Sequence, residues 1–212
     1  MTSGHHIIFD LDGTLIDSKN EIIETYQLVF REIAPAKDVD FHRLNYGATL
    51  QAVMESVYNY QPDKIEKAKL LFAAHYDSSK FLETHLYDSV YDTLKALKEK
   101  GHKLYIATNK REAPTVRILD RKKIERFFVD VLASEMLSGA TFGKEEMIAE
   151  LKRKHAFVSG FMVGDSSSDI IAGKKQNLKT IAVTYGYENR DIFAVQNPTY
   201  TIGSFREIID LL

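Results

Sequence analysis

Two aspartates stand two positions apart directly after an apolar run near the start of the chain, in the segment FDLDG. In an extended chain residues i and i+2 point to the same side, so Asp10 and Asp12 can face one site. A carboxylate can attack phosphorus and form an aspartyl-phosphate. A second carboxyl can protonate the leaving oxygen and then deprotonate the attacking water. Gly13 and Thr14, which follow, would turn the chain and offer N–H groups to phosphoryl oxygens. The pair therefore indicates phosphoryl-group chemistry, with an ordinary Asp-Gly turn as the alternative.

Polar residues of complementary types accompany later apolar runs. Thr108 and Asn109 end one run, Lys144 begins a helical pattern, and Asp165 ends another run with Asp169 one helical turn later. Ligands of an open parallel sheet bind at the carboxyl ends of its strands, so we expect these side chains to converge. Several carboxylates at one point repel one another without a cation, and oxygen ligands suit Mg²⁺. A lysine and a threonine hydroxyl would hold an anion beside that metal.

Each of these residues also has a purely structural alternative. Thr108 and Asn109 could cap the helix that follows them. Lys144 could be a solvated charge at a helix start, although the helix dipole disfavours a cation there. Asp165 and Asp169 could be a loop acid and a first-turn helix acid.

The elements that would position these side chains alternate along the chain. Apolar runs typical of strands occupy residues 5–10, 102–108, 127–133, 160–164, 179–185 and, more weakly, 199–202. Helical patterns lie between them at 90–101, 112–123, 144–155 and 166–177. This alternation predicts an α/β protein with a Rossmann-like parallel sheet that helices cover on both faces.

Residues 19–85 interrupt the alternation with several helical patterns and no convincing strand. A crossover between parallel strands needs only one helix. We therefore predict an inserted all-helical cap at residues 18–85 and a core formed by residues 1–17 and 86–212. In the cap, the segment RLNYGATL offers Arg43, Tyr46 and Gly47 as candidate substrate contacts, with a plain turn between helices as the alternative.

The composition limits the possible partners. The chain has 212 residues and a formal net charge of −2, which gives no basic footprint for nucleic acid. It has no cysteine, which excludes disulfides, thiolate catalysis and cysteine zinc sites and leads us to expect a cytoplasmic protein. Residues 1–6 have no signal-type pattern and no run reaches membrane-span length, so we expect no membrane partner.

Four segments, FDLDGTLIDS, IATNK, FGKEEM and GDSSSD, resemble in order the four motifs of the haloacid dehalogenase superfamily. The likeness spans nearly the whole chain and is closest to the phosphoglycolate phosphatase-like branch with a helical, C1-type cap after the first motif. Two features depart from the pattern. Glu145 stands where a proline often follows the third-motif lysine, which leaves Lys110 as an alternative to Lys144. The proline–glycine pair common before the helix at 88–100 is absent.

The resemblance implies a catalytic role for four of these residues. Asp10 would be the nucleophile and Asp12 the general acid/base, while Thr108 and Lys144 would position the phosphate or the nucleophile. Dehalogenases of the superfamily lack the second acid of the first motif, so Asp12 favours phosphate chemistry.

The resemblance also implies a metal site. Mg²⁺ would be held by the Asp10 carboxylate, the Asp12 backbone carbonyl and Asp165, with Asp169 as a supporting residue or an alternative ligand.

We therefore predict a phosphoric monoester hydrolase, a Mg²⁺-dependent phosphatase that cleaves a small phosphorylated metabolite and works as a monomer or weak homodimer. A phosphomutase similar to β-phosphoglucomutase is the closest alternative, because it differs only in returning the phosphoryl group to the substrate. The complete set of motif residues disfavours a non-catalytic phospho-ligand-binding protein. Asp12, the chain length and the helical insert disfavour a signalling receiver domain.

Overall fold

The computed structural model of the protein describes residues 4–34, 39–41, 44, 50–58, 62–134 and 143–212. The chain divides into two compact units, Met1–Asp17 with Leu86–Leu212, and Ser18–His85. Across these described ranges, no helix is both long and apolar enough to cross a lipid bilayer.

The first unit is built on a six-stranded parallel sheet, which confirms the predicted fold class. The described strands are β1 (His6–Phe9), β2 (Ile16–Asp17), β3 (His85–Leu86), β4 (Lys103–Thr108), β5 (Phe128–Ala133), β6 (Phe161–Gly164), β7 (Lys179–Val183) and β8 (Tyr200–Ile202). Six of these eight strands form the parallel sheet, in the order β5-β4-β1-β6-β7-β8, and each neighbouring pair is parallel. Because β1 lies between β4 and β6, the carboxyl ends of these three strands are side by side.

Both faces of the sheet are buried, as expected for strands that are continuous apolar runs. On one face Ile8 belongs to a cluster with Met162 of β6 and Met147 of the helix after β5. On the other face the ring of Phe9 lies 5.6 Å from the ring of Phe205, near the end of the chain. Successive strand residues point to opposite faces, so β1 is packed between chain segments on both sides.

The described helices are α1 (Lys19–Ile33), α2 (Leu50–Tyr58), α3 (Pro62–Ser78), α4 (Val90–Glu99), α5 (Glu112–Arg121), α6 (Lys144–Lys154), α7 (Ser167–Lys175), α8 (Ile192–Gln196) and α9 (Ile208–Leu211). Helices α4 to α7 are the four that the sequence pattern predicts in the core. Gly101, two residues after α4, has φ +87°, a conformation that glycine adopts without strain. The short helices α8 and α9 and the two-residue strands β2 and β3 were not predicted, because so few residues give no measurable periodicity.

The second unit is helical in its described part. Tyr26 of α1, Met54 of α2 and Ala68 of α3 belong to one buried apolar cluster. The buried carboxylate of Glu21, in the first turn of α1, accepts the N–H of Glu83 at 2.9 Å. This hydrogen bond ties α1 to the segment with which the unit ends.

Gly173 of α7 lies against the sheet, and a Cβ there would come within 2.8 Å of side-chain carbons of Met162 and Thr180. Alanine favours a helix over glycine by about 1 kcal/mol, but overpacking a core costs about 1–3 kcal/mol. We therefore expect Gly173→Ala to lower the free energy of unfolding by about 1 kcal/mol, measured by urea denaturation. Ile171→Ala, at an exposed position of the same helix, is the control and should change that free energy by less than about 0.5 kcal/mol. A Gly173→Ala protein more stable than wild type would contradict the close packing of α7 on the sheet.

Candidate active site

The carboxyl ends of β4, β1 and β6 place three polar residues at one edge of the sheet. Asp10 follows β1, and its N–H donates to the carbonyl of Val163 on β6 at 2.9 Å. Thr108 is the last residue of β4, and Asp165 follows β6. The order of the strands therefore brings together residues that are far apart in sequence.

Lys144 reaches this edge from the first position of α6. Its Nζ donates to Oδ1 of Asp10 at 2.5 Å and to the carbonyl of Ala107 at 2.9 Å, and it lies 3.0 Å from Oδ1 of Asp169. Its side chain is only 4% exposed. Burial alone would lower the pKa of this ammonium, but the carboxylates of Asp10 and Asp169 outweigh burial and raise the pKa above its ordinary value. Lys144 is therefore a buried cation held by its partners.

Three buried carboxyl groups form the centre of the site. One oxygen each of Asp10, Asp165 and Asp169 lies within 4.8 Å of the other two. Burial raises the pKa of both Asp10 and Asp165, and repulsion by Asp169 raises the pKa of each further. Lys144 supplies one positive charge to this group, so three ionised carboxylates would still favour an added cation.

A loop after β7 holds Asp165. Its Oδ2 accepts the N–H of Tyr187 at 2.7 Å, and its Oδ1 lies 3.4 Å from the hydroxyl of Thr14. A Cβ at Gly13 would lie 2.2 Å from Oδ2 of Asp165, and a Cβ at Gly186 would lie 2.2 Å from its Cβ, so glycine is needed at both positions. Sequence reasoning identified Gly13 and Thr14 but missed Gly186 and Tyr187, although the segment TYGY after a strand could have indicated a tight turn.

Asp169 connects the site to the start of α7. It forms a reciprocal capping box with Ser166, in which Oδ2 of Asp169 accepts the N–H of Ser166 at 3.1 Å. The other oxygen, Oδ1, is buried, faces Lys144 at 3.0 Å and makes no well-aligned hydrogen bond with the residues that the structure describes. The interpretation of Asp169 as an acid of the first helical turn is therefore correct for its Oδ2. Its Oδ1 faces the site that Asp169 shares with Asp10 and Asp165.

Asp12 is paired with a second lysine. Nζ of Lys110 donates to both carboxylate oxygens of Asp12, at 2.8 and 3.0 Å. Sequence reasoning treated Lys110 only as an alternative to Lys144, whereas in the structure Lys144 contacts Asp10 and Asp169 and Lys110 contacts Asp12. A contact between Lys110 and Asp12 leaves no signal in the sequence, because the two side chains come from the ends of different strands.

The alternative role of Thr108 and Asn109 as a helix cap is wrong. The N-cap of α5 is Arg111, whose side chain makes no capping hydrogen bond. Thr108 is buried, and its Oγ1 accepts the N–H of Lys110 at 3.2 Å, while Asn109 is exposed.

The residues predicted from the first unit all lie at or beside this edge: Asp10, Asp12, Gly13, Thr14, Thr108, Asn109, Lys144, Asp165 and Asp169. The candidate substrate contacts Arg43, Tyr46 and Gly47 lie outside the described residues.

The donor set fits Mg²⁺. The group offers carboxylate oxygens, the ligands that this hard cation prefers. In addition, Lys144 brings only one positive charge to the three carboxylates, so a dication in the group would balance the charge that remains.

Comparisons with known proteins find a matching family and similar proteins over nearly the whole chain. The family described as haloacid dehalogenase-like hydrolase matches residues 7–183. The phosphoglycolate phosphatase of Aquifex aeolicus is 30% identical, over 97% of this chain and 95% of its own. A pyrophosphatase, PpaX, of Halalkalibacterium halodurans is 26% identical over 97% of this chain and 95% of its own. The crystal structure of a predicted phosphatase from Clostridium acetobutylicum superposes with a TM-score of 0.88 at 26% identity, over 99% of this chain and 98% of that one.

Asp165→Asn tests the cost of burying a charged carboxylate beside the other two. Because folding raises the pKa of Asp165, ionisation of this group destabilises the metal-free fold. That penalty is absent below the ordinary carboxyl pKa of about 4 and complete above the raised pKa. In EDTA we therefore expect Asp165→Asn to match wild type in thermal unfolding at about pH 4 and to become more stable than wild type, by roughly 1–3 kcal/mol, as the pH rises through neutrality.

The control for this measurement is Asp120→Asn, which removes an exposed carboxylate of α5. Its stability difference from wild type should stay flat over the same pH range. A loss of metal-free stability in Asp165→Asn at neutral pH would contradict a destabilising effect of burial and repulsion on this carboxylate.

Proposed function

The chain belongs to the haloacid dehalogenase-like hydrolases, and we propose that it is a Mg²⁺-dependent phosphatase that cleaves small phosphate monoesters through an aspartyl-phosphate. Its curated relatives named phosphoglycolate phosphatase support this substrate class. The pyrophosphatase among its relatives makes pyrophosphate a second candidate substrate.

The observation that carries the proposal is the environment of Asp10. This carboxylate lies at the carboxyl end of the central strand, bonded to the buried ammonium of Lys144 and next to Asp165 and Asp169. A nucleophile for phosphorus must come close to an anionic group, and nearby positive charge offsets the repulsion. Lys144 supplies that charge directly at the nucleophile.

In the proposed first half-reaction, a carboxylate oxygen of Asp10 forms a bond to phosphorus while the ester P–O bond breaks. Asp12 gives its proton to the leaving alkoxide, which departs as the alcohol. In the second half-reaction, Asp12 takes a proton from water as the water oxygen attacks phosphorus. The bond between phosphorus and Asp10 then breaks, which releases phosphate and restores both carboxyl groups.

We assign the metal to the carboxylates of Asp10 and Asp165 and to the backbone carbonyl of Asp12, with Asp169 as a further ligand or a support. When bound, Mg²⁺ offsets negative charge on the transferring phosphoryl group. Thr108 would orient the phosphate beside it.

We assign substrate choice to the helical unit, as a cap that contacts the part of the substrate beyond the phosphate. Arg43, Tyr46 and Gly47 remain the proposed contacts, and residues 18–85 the proposed cap. Asn109 is proposed to contact phosphoryl oxygens. The backbone N–H groups of Gly13 and Thr14, which the sequence suggested for the same contact, donate instead to the carbonyls of Ile16 and Leu11 within the loop.

Phosphate release from a panel of phosphoglycolate, sugar phosphates, nucleotides and pyrophosphate tests the proposal, with Mg²⁺ or with EDTA. We expect turnover of one or a few compounds only with Mg²⁺. Asp10→Asn should reduce turnover to background because the nucleophile is lost. Asp12→Asn should reduce kcat by roughly 10²- to 10⁴-fold, the usual contribution of general acid–base catalysis.

Asp120→Asn, an exposed aspartate of α5, is the matched control and should retain full activity. Full activity in Asp10→Asn would contradict an aspartyl-phosphate at that position. Labelling of Asp10 by a sugar bisphosphate without phosphate release would instead favour a phosphomutase.

A further inference from the structure

Lys110 is a second lysine of the site, and it contacts a different acid from Lys144. Its Nζ donates to both oxygens of Asp12, and the two side chains are 6% and 20% exposed. An ion pair so well removed from water is screened less than a surface pair, and its geometry is correspondingly better defined. The proposed mechanism uses Asp12 twice but gives Lys110 no role.

The backbone of Lys110 is held on both sides. Its N–H donates to Oγ1 of Thr108 at 3.2 Å, and its carbonyl accepts the N–H of Ser134, just after β5, at 3.1 Å. The lysine stem therefore starts from a fixed point at the edge of the sheet. Less side-chain freedom has to be lost to keep the ammonium in one place.

Asp12 lies on a tight loop whose hydrogen bonds fix its backbone. The N–H of Gly13 donates to the carbonyl of Ile16 at 2.8 Å, and the N–H of Leu15 donates to the carbonyl of Leu11 at 2.9 Å. These bonds involve the backbone of the loop and not the carboxylate of Asp12. Contact of one ammonium with both carboxylate oxygens restricts rotation of the carboxylate.

We propose that Lys110 is a positioning residue that holds the Asp12 carboxylate in the orientation needed for proton transfer. The inference rests on the proposed function, because it requires Asp12 to serve as general acid/base. Proton transfer needs the donor and acceptor within hydrogen-bond reach and aligned, so an Asp12 carboxylate that has lost the contact with Lys110 spends less time in a productive arrangement. Lys144 contacts the proposed nucleophile and Lys110 contacts the proposed acid/base, so the two lysines act on different catalytic groups.

The test compares two substrates that differ in their need for a proton. One is the best alkyl phosphate of the panel, whose alkoxide must be protonated as it leaves. The other is acetyl phosphate, whose acetate leaves without a proton. Lys110→Met keeps the length of the stem and removes the charge, Lys110→Arg keeps the charge, and Lys175→Met removes an exposed lysine that pairs with Glu145 away from the site.

For the alkyl ester, we expect Lys110→Met to lower kcat by roughly 10- to 100-fold, a fraction of the full general acid–base contribution, with KM changed less than about threefold. For acetyl phosphate, phosphorylation of Asp10 should stay near the wild-type rate while its hydrolysis slows, so phosphoenzyme accumulates in rapid-quench experiments. Lys110→Arg should recover part of the loss. Lys175→Met should behave as wild type, and circular dichroism should confirm that all variants are folded.

A double-mutant cycle separates action through Asp12 from direct action on the phosphoryl group. If Lys110 acts through Asp12, adding Lys110→Met to Asp12→Asn leaves the rate of Asp10 phosphorylation by acetyl phosphate unchanged. A further drop in that rate, or a Lys110→Met effect confined to KM, overturns the inference and makes Lys110 a substrate-binding residue. Wild-type protein that forms no phosphoenzyme and releases no phosphate from either substrate would instead overturn the proposed function itself, so the two failures are distinguishable.

Discussion

Concentrated negative charge at the carboxyl edge of the sheet is the constraint on which the rest of the site depends. Carboxylates of Asp10, Asp165 and Asp169 are buried together, where the low dielectric strengthens their repulsion. The ammonium of Lys144 lies within reach of two of them, and backbone N–H groups and a helix cap engage further oxygens. The fold therefore maintains a group that is short of positive charge, and a dication bound there would relieve the repulsion that remains.

Such close carboxylates require close approach of the backbone, and three glycines permit it. A Cβ at Gly13, Gly164 or Gly186 would each lie about 2.2 Å from an atom of Asp165 or Asp169. These glycines come from the ends of β1, β6 and β7, the strand ends that surround the site. The geometry of the carboxylate group therefore depends on the lack of a side chain at these three positions as much as on the acids themselves.

The sequence predicts the sheet and the acids well because each is a local signal. The run before Asp10 is apolar without interruption, and the acids follow strand ends that a parallel sheet must bring to one edge. The partners of those acids cannot be predicted from local signals. The contacts of Lys110 with Asp12 and of the Tyr187 N–H with Asp165 depend on how loops of different strands meet, and no periodicity encodes that. For Lys144, the helical pattern of the sequence predicts a position at the start of a helix. Only the fold distinguishes its contacts from those of Lys110.

The spacing of Asp10 and Asp12 acquires a fuller meaning from these partners. A spacing of two predicts that both side chains face one site, yet the two acids have different surroundings. Asp10 is buried, bonded to Lys144 and close to two other carboxylates, whereas Asp12 is 20% exposed and paired with Lys110. As the proposed nucleophile, Asp10 would benefit from a rigid, water-poor position. As the proposed acid/base, Asp12 would meet first a leaving alcohol and then a water molecule, so it would need a position nearer to solvent and a separate support. The contacts of Lys144 with Asp10 and of Lys110 with Asp12 fit both requirements.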